Sequence, residues 1–124
     1  MAGEPILIVD DNAVNLKLVR VLLATEGYET KTAGDANEAL SVLENFRPRL
    51  ILMDIQMPGM DGLQLTQKLK ADPITKDIII IALTAYAMKG DEEKTRAAGC
   101  DGYITKPIDT RAMPATLRTY LDPK

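Results

Sequence analysis

The chain has 124 residues, 46% of them hydrophobic, and a formal charge of −3 from 18 acidic and 15 basic side chains. That length and composition suit one globular domain and exclude wholesale disorder, and the acidic balance is the opposite of a nucleic-acid footprint. No histidine is present, which excludes a Ser-His-Asp triad, a histidine-ligated zinc site and a phosphohistidine carrier, and the single Cys100 rules out an intrachain disulfide.

Ile6–Val9 is continuously apolar, as in a strand covered on both faces. A helical stretch follows on which Val14, Leu18, Val21 and Leu22 share a face, with Gly27 where a C-cap is expected. Tyr28–Ala33 alternates, as a sheet edge does. Asp35 suits the N-cap of a second helix carrying Ala36, Ala39, Leu40 and Leu43 on one side. Leu50–Met53 and Ile78–Leu83 are again buried-strand runs. Met88–Ala98 contains Gly90 and few large apolar residues, so a helix there buries little and is suited to move, although a plain exposed helix reads the same way. Gly99 marks its end, and Tyr103–Thr105 is a short second edge strand. The last helix carries Met113, Leu117, Tyr120 and Leu121; Pro114, in or near its first turn, leaves its start open.

This alternation predicts a doubly wound α/β fold with a (βα)5 pattern and a five-stranded parallel sheet. Right-handed crossovers with runs two and five at the edges select the flavodoxin-like order 2-1-3-4-5. The topological switch point then lies between strands one and three, where ligands bind beyond the strand carboxyl ends. The expectation is a single domain over residues 1–124 with no output domain. No apolar run approaches the ~20 residues of a membrane span, and Met1-Ala2-Gly3-Glu4 lacks the start of a signal peptide, so a cytoplasmic location is expected.

Strand one ends in Asp10-Asp11, strand three in Asp54, strand four in Thr84 and strand five in Lys106-Pro107. On one rim the three carboxylates would repel, by roughly 4 kcal/mol per pair at ~4 Å and an effective dielectric near 20. A hard divalent cation compensates best, and Mg²⁺ fits a set of few protein oxygens with retained waters. Asp54 is then a candidate nucleophile toward phosphorus, with Thr84 and Lys106 placed to meet the transferring oxygens. Each residue alone has a plainer use. Asp10, Asp11 or Asn12 suits a helix cap, Asp54 a turn, Thr84 a strand end and Lys106 a solvated surface. The joint arrangement on four strands of one rim favours the chemical reading.

Ile-Leu-Ile-Val-Asp-Asp-Asn (6–12), Leu-Ile-Leu-Met-Asp-Ile-Gln-Met-Pro-Gly-Met-Asp-Gly (50–62), Ile-Ala-Leu-Thr-Ala (81–85) and Gly-Tyr-Ile-Thr-Lys-Pro (102–107) together resemble the receiver domain of response regulators, the CheY-like superfamily. Residues 83–93 are similar to single-domain regulators of the DivK kind and to receivers of hybrid kinases. The resemblance covers essentially the whole chain and implies a two-component regulator. Asp54 would accept a phosphoryl group from a sensor histidine kinase or histidine phosphotransfer protein. Asp11 would ligate Mg²⁺ directly and Asp10 mainly through water, with Asp54 and the Gln56 backbone carbonyl completing the protein ligands. Thr84 and Lys106 would bind the phosphoryl oxygens, and the Lys106-Pro107 bond would be cis. Tyr103 would be the switch aromatic that turns inward as Thr84 moves. Gln56 and Tyr86 would tune hydrolysis of the aspartyl phosphate. A downstream protein would read the helix 4–strand 5–helix 5 face, with no nucleic-acid or membrane partner. Such a chain is not an enzyme toward other substrates; it catalyses only its own phosphorylation and slow dephosphorylation.

Three rival readings are weaker. A haloacid-dehalogenase-type Mg²⁺ phosphatase wants an Asp two residues after the nucleophile, where Gln56 stands. A flavodoxin-like cofactor site wants a hydroxyl- and glycine-rich phosphate loop where Asp10-Asp11-Asn12 stands. A non-phosphorylated receiver scaffold fits poorly with intact Asp10, Asp11, Asp54, Thr84 and Lys106.

Overall fold

The computed structural model describes residues 4–55, 62–84, 91–105 and 110–121. Strands β1 (Pro5–Val9), β2 (Glu29–Ala33), β3 (Leu50–Asp54), β4 (Ile79–Thr84) and β5 (Gly102–Thr105) alternate with helices α1 (Ala13–Thr25), α2 (Ala36–Leu43), α3 (Gly62–Ala71), α4 (Asp91–Ala98) and α5 (Met113–Leu121). All four strand pairings are parallel, in the order β2-β1-β3-β4-β5, as the sequence predicts.

Strand alternation divides the core in two. Leu7, Val9, Ile51, Met53, Ile80 and Ala82 face α2 and α3, meeting Ala39, Leu43, Leu65 and Leu69. Ile6, Ile8, Leu50, Leu52, Ile81 and Leu83 face α1 and α5, meeting Val19, Leu23, Leu117 and Leu121. Because β1, β3 and β4 are covered on both sides, their sequences are apolar without alternation. The edge strands β2 and β5 expose polar residues instead.

Helix ends follow local chemistry. Gly27 and Gly99 adopt φ of 91° and 108°, the left-handed conformation that glycine tolerates beyond a helix C-terminus. Asp35 caps α2 by accepting from Glu38 N at 2.8 Å. Pro114 is accommodated because Thr116 N to Ala112 O, at 3.0 Å, is the first helical bond of α5. The proline therefore sits in the first turn, where backbone N–H groups lack intrahelical acceptors anyway.

One sequence expectation needs correction. The shared α1 face of Val14, Leu18 and Val21 is not the buried one: these are 75%, 43% and 50% exposed. Val19 and Leu23 bury instead, with Leu16 and Leu22 partly covered. Helix α4 packs on β5 and α3, and α5 covers the opposite face of the sheet with Tyr120 against Gly102 of β5, so the two helices flank that edge strand. No helix among the described residues is long and apolar enough to cross a membrane.

Candidate phosphorylation and metal site

The carboxyl ends of β1 and β3 bring three aspartates together. Asp10 follows β1 directly, is fully buried, and donates its backbone N–H to Ala33 O at 3.1 Å. Its Oδ1 accepts from Asn12 N at 2.8 Å, and Asn15 Nδ2 stands 3.5 Å from its Oδ2. Asn12 is the cap of α1, its Oδ1 accepting from Val14 N at 2.9 Å and Asn15 N at 3.1 Å. The capping role left open among Asp10, Asp11 and Asn12 thus falls to the neutral residue. Asp11 is exposed, and Asp54, the last residue of β3, is buried.

One carboxylate oxygen from each of Asp10, Asp11 and Asp54 lies within 4.8 Å of the other two. At that distance two unit charges repel by about 3.5 kcal/mol at an effective dielectric of 20. The donors are all hard oxygens, two buried and one open to solvent, a set that fits Mg²⁺ with part of its water shell retained.

The backbone beneath Asp54 is held by α3. A β-carbon at Gly62 would lie 2.3 Å from the Asp54 carbonyl oxygen and 2.7 Å from Ile55 Cα. Only glycine permits this approach of the helix to the strand end. Gly62 closes the 50–62 motif, which by itself does not reveal this role. A glycine opening a helix just after a buried strand was the available signal.

Thr84 ends β4 and is buried. Asp54 pairs in register with Leu83, and Ile55 N donates to Leu83 O at 3.2 Å, so Asp54 and Thr84 occupy adjacent strand ends. Ala82 pairs with Tyr103. By strand alternation Thr84 and Tyr103 therefore share the sheet face of Ala82, one diagonal apart. Tyr103 is half-buried against the α2–α3 core. Gln56, Tyr86, Lys106 and Pro107 lie outside the described residues, as do Met88–Gly90 of the Met88–Ala98 segment.

Comparison with known proteins agrees with this geometry. Residues 6–118 match the family model of the response regulator receiver domain. The chain is 47% identical over 118 residues to the polar-differentiation response regulator DivK of Brucella anthropi, covering 95% of this chain and 96% of that one. The same identity and coverage hold for DivK of Brucella ovis. Among solved structures, the Vibrio cholerae chemotaxis protein CheY4 superposes with a TM-score of 0.89 at 29% identity, covering 94% of this chain and 98% of that one. The receiver domain of the sensor histidine kinase PA1611 from Pseudomonas aeruginosa PAO1, solved with a magnesium ion coordinated in its active site cleft, gives a TM-score of 0.87 at 34% identity, with coverages of 97% and 98%. With the motifs, the strand order and these relatives in agreement, the chain belongs to the response regulator receiver domain family of two-component signalling.

Proposed function

We propose that the chain accepts a phosphoryl group on Asp54 from the phosphohistidine of a sensor kinase or phosphotransfer protein. The observation that carries the reading is the convergence of the Asp10, Asp11 and Asp54 carboxylates within 4.8 Å, a set of hard oxygens that suits a divalent cation. Asp10, Asp11, Asp54 and the Gln56 carbonyl would hold Mg²⁺, which supplies charge neutralisation on the phosphoryl oxygens when bound. The magnesium in the Pseudomonas receiver supports that choice.

A carboxylate oxygen of Asp54 attacks phosphorus. The P–N bond to the donor imidazole breaks with its electron pair going to nitrogen, and an acyl phosphate remains on Asp54. Thr84 donates its hydroxyl to one phosphoryl oxygen and Lys106 its ammonium to another. Thr84 and Tyr103 then move together, and a downstream protein reads the change on the α4–β5–α5 side. Gln56 and Tyr86 set how readily water reaches the phosphorus afterwards.

The protein donor must cover the rim that carries Asp54. The exposed stripe Val14, Leu18 and Val21 begins three residues after Asp11 and runs along α1. Exposed apolar stripes of this kind mark interaction surfaces. Two experiments test the reading. Asp54→Asn should take no label from acetyl phosphate or a phosphorylated kinase; wild-type labelling of a folded Asp54→Asn protein defeats the acceptor assignment. Val14→Ser with Leu18→Ser should slow transfer from a protein donor about tenfold while leaving labelling by acetyl phosphate unchanged. Equal slowing with both donors would remove the docking role from α1.

A further inference from the structure

Helix α3 bears on the phospho-acceptor at one end and on the α4–β5 turn along one side. At Gly62 its backbone meets the Asp54–Ile55 peptide with no side chain between. One turn on, Thr66 is fully buried; its hydroxyl donates to Gly62 O at 2.7 Å and accepts from Cys100 Sγ at 3.8 Å. Burial pushes the Cys100 thiol pKa up, which keeps the S–H donor in place at neutral pH. One turn further, Lys70 Nζ donates to Asp101 Oδ2 at 3.0 Å, and its side chain fills the space beside Gly99. Thr66 and Lys70, four residues apart and so on one side of the helix, both grip the turn Gly99–Asp101.

A threonine hydroxyl bonded to the carbonyl four residues back is common. Thr25, Thr116 and Thr119 do the same on exposed helix faces. Thr66 differs in three ways. It is buried, it has a second partner on another element, and its acceptor carbonyl belongs to the residue that touches Asp54.

We propose that Thr66 is a positioning residue for the phospho-acceptor, tying the α4–β5 turn through Gly62 to the backbone of Asp54. This link runs on the α3 side of the site, separate from the Thr84–Tyr103 route, and it rests on the reading of Asp54 as acceptor. It makes the α4–β5 turn a determinant of phosphorylation rate as well as a reporter of it.

Thr66→Val preserves size and removes the hydroxyl. In amide ¹H–¹⁵N spectra of the metal-free protein, the Asp54 and Ile55 resonances should move. The rate constant of labelling by acetyl phosphate with Mg²⁺ should fall about fivefold, since small misplacements of a nucleophile cost rate steeply. Thr66→Ser should bring both readouts back near wild type. Unmoved Asp54 and Ile55 resonances, a wild-type labelling rate, or failure of serine to restore them each overturns the proposal. Should Thr66→Val not fold, Cys100→Ala removes the thiol donor instead and must move the same two resonances; if they stay, the link is refuted. Labelling that survives Asp54→Asn would fail the acceptor assignment, while the resonances, read without any phosphorylation, judge the link by themselves.

Discussion

Asp54→Asn should have opposite effects on stability in the absence and presence of Mg²⁺. Asp54 and Asp10 are both buried, with oxygens no more than 4.8 Å apart. At that separation their repulsion is about 3.5 kcal/mol at an effective dielectric of 20, and larger at any shorter one. The N–H groups that hold Asp10 and the open side of the site at Asp11 screen much of this. A net gain of about 1 kcal/mol is expected for the metal-free variant, or about 4 °C in Tm for a chain of this size. Mg²⁺ acts the other way. At ten times its Kd, a ligand that binds only the folded wild type adds about 1.4 kcal/mol. The variant lacks one carboxylate of the proposed ligand set and should gain little. Thermal unfolding of both proteins in EDTA and in excess Mg²⁺ reads the four values. The curves should place the variant above wild type in EDTA and remove or reverse that order with Mg²⁺. A variant less stable than wild type in EDTA, or one that gains as much from Mg²⁺, would refute the argument that charge crowding creates the metal site.

Three further outcomes follow from the packing. Gly62→Ala, which in an ordinary helix stabilises, should here cost about 2 kcal/mol, because its β-carbon has no room against Asp54 O; a urea midpoint at or above wild type would contradict this. Lys70 Nζ donates to Ile78 O at 2.8 Å as well as to Asp101, and Asp101 Oδ2 accepts from Ile80 N at 2.9 Å. Lys70→Met and Asp101→Ala should each cost about 1–2 kcal/mol, and the double variant less than their sum; full additivity would show that the two do not act as one staple. Burial raises the Cys100 pKa above its ordinary value of 9.0. The unfolded thiol therefore ionises first, so this contribution to stability is complete below the unfolded pKa and is lost as pH climbs toward the folded one. Cys100→Ala should flatten the decline of stability above about pH 8.5; identical alkaline limbs in the two proteins would remove Cys100 as its cause.

The strands were legible because each side of the sheet leaves its own mark. Burial on both faces makes Ile6–Val9, Leu50–Met53 and Ile78–Leu83 apolar throughout, and one-sided exposure makes Glu29–Ala33 alternate. The acidic rim was legible because strand ends in a parallel sheet converge by topology. The buried face of α1 was not. That helix carries seven large aliphatic residues, enough for two overlapping faces, and periodicity alone cannot choose between 14-18-21 and 16-19-23. The contacts of Lys70 with Asp101 and of Thr66 with Cys100 join residues 31 and 34 positions apart. Neither pair has a local pattern; both depend on how α3 lies across the sheet.

How the three carboxylates coexist decides what the rim can do. The N-terminus of α1 begins just beyond Asp10 and Asp11, and that of α3 abuts the Asp54 backbone. Each helix end presents partial positive charge worth about 0.3–1 kcal/mol to a nearby anion, and up to ~2 kcal/mol when partly buried. Two such ends offset part of one repulsive pair at ~3.5 kcal/mol, yet the cluster contains three pairs. Asn12, being neutral, caps α1 without adding a fourth charge. The helix ends thus offset part of the charge of the cluster, whose hard oxygens suit a divalent cation. Negative charge at the rim disfavours an incoming phosphoryl group unless a cation is present, so the proposed phosphorylation of Asp54 would depend on metal binding through electrostatics.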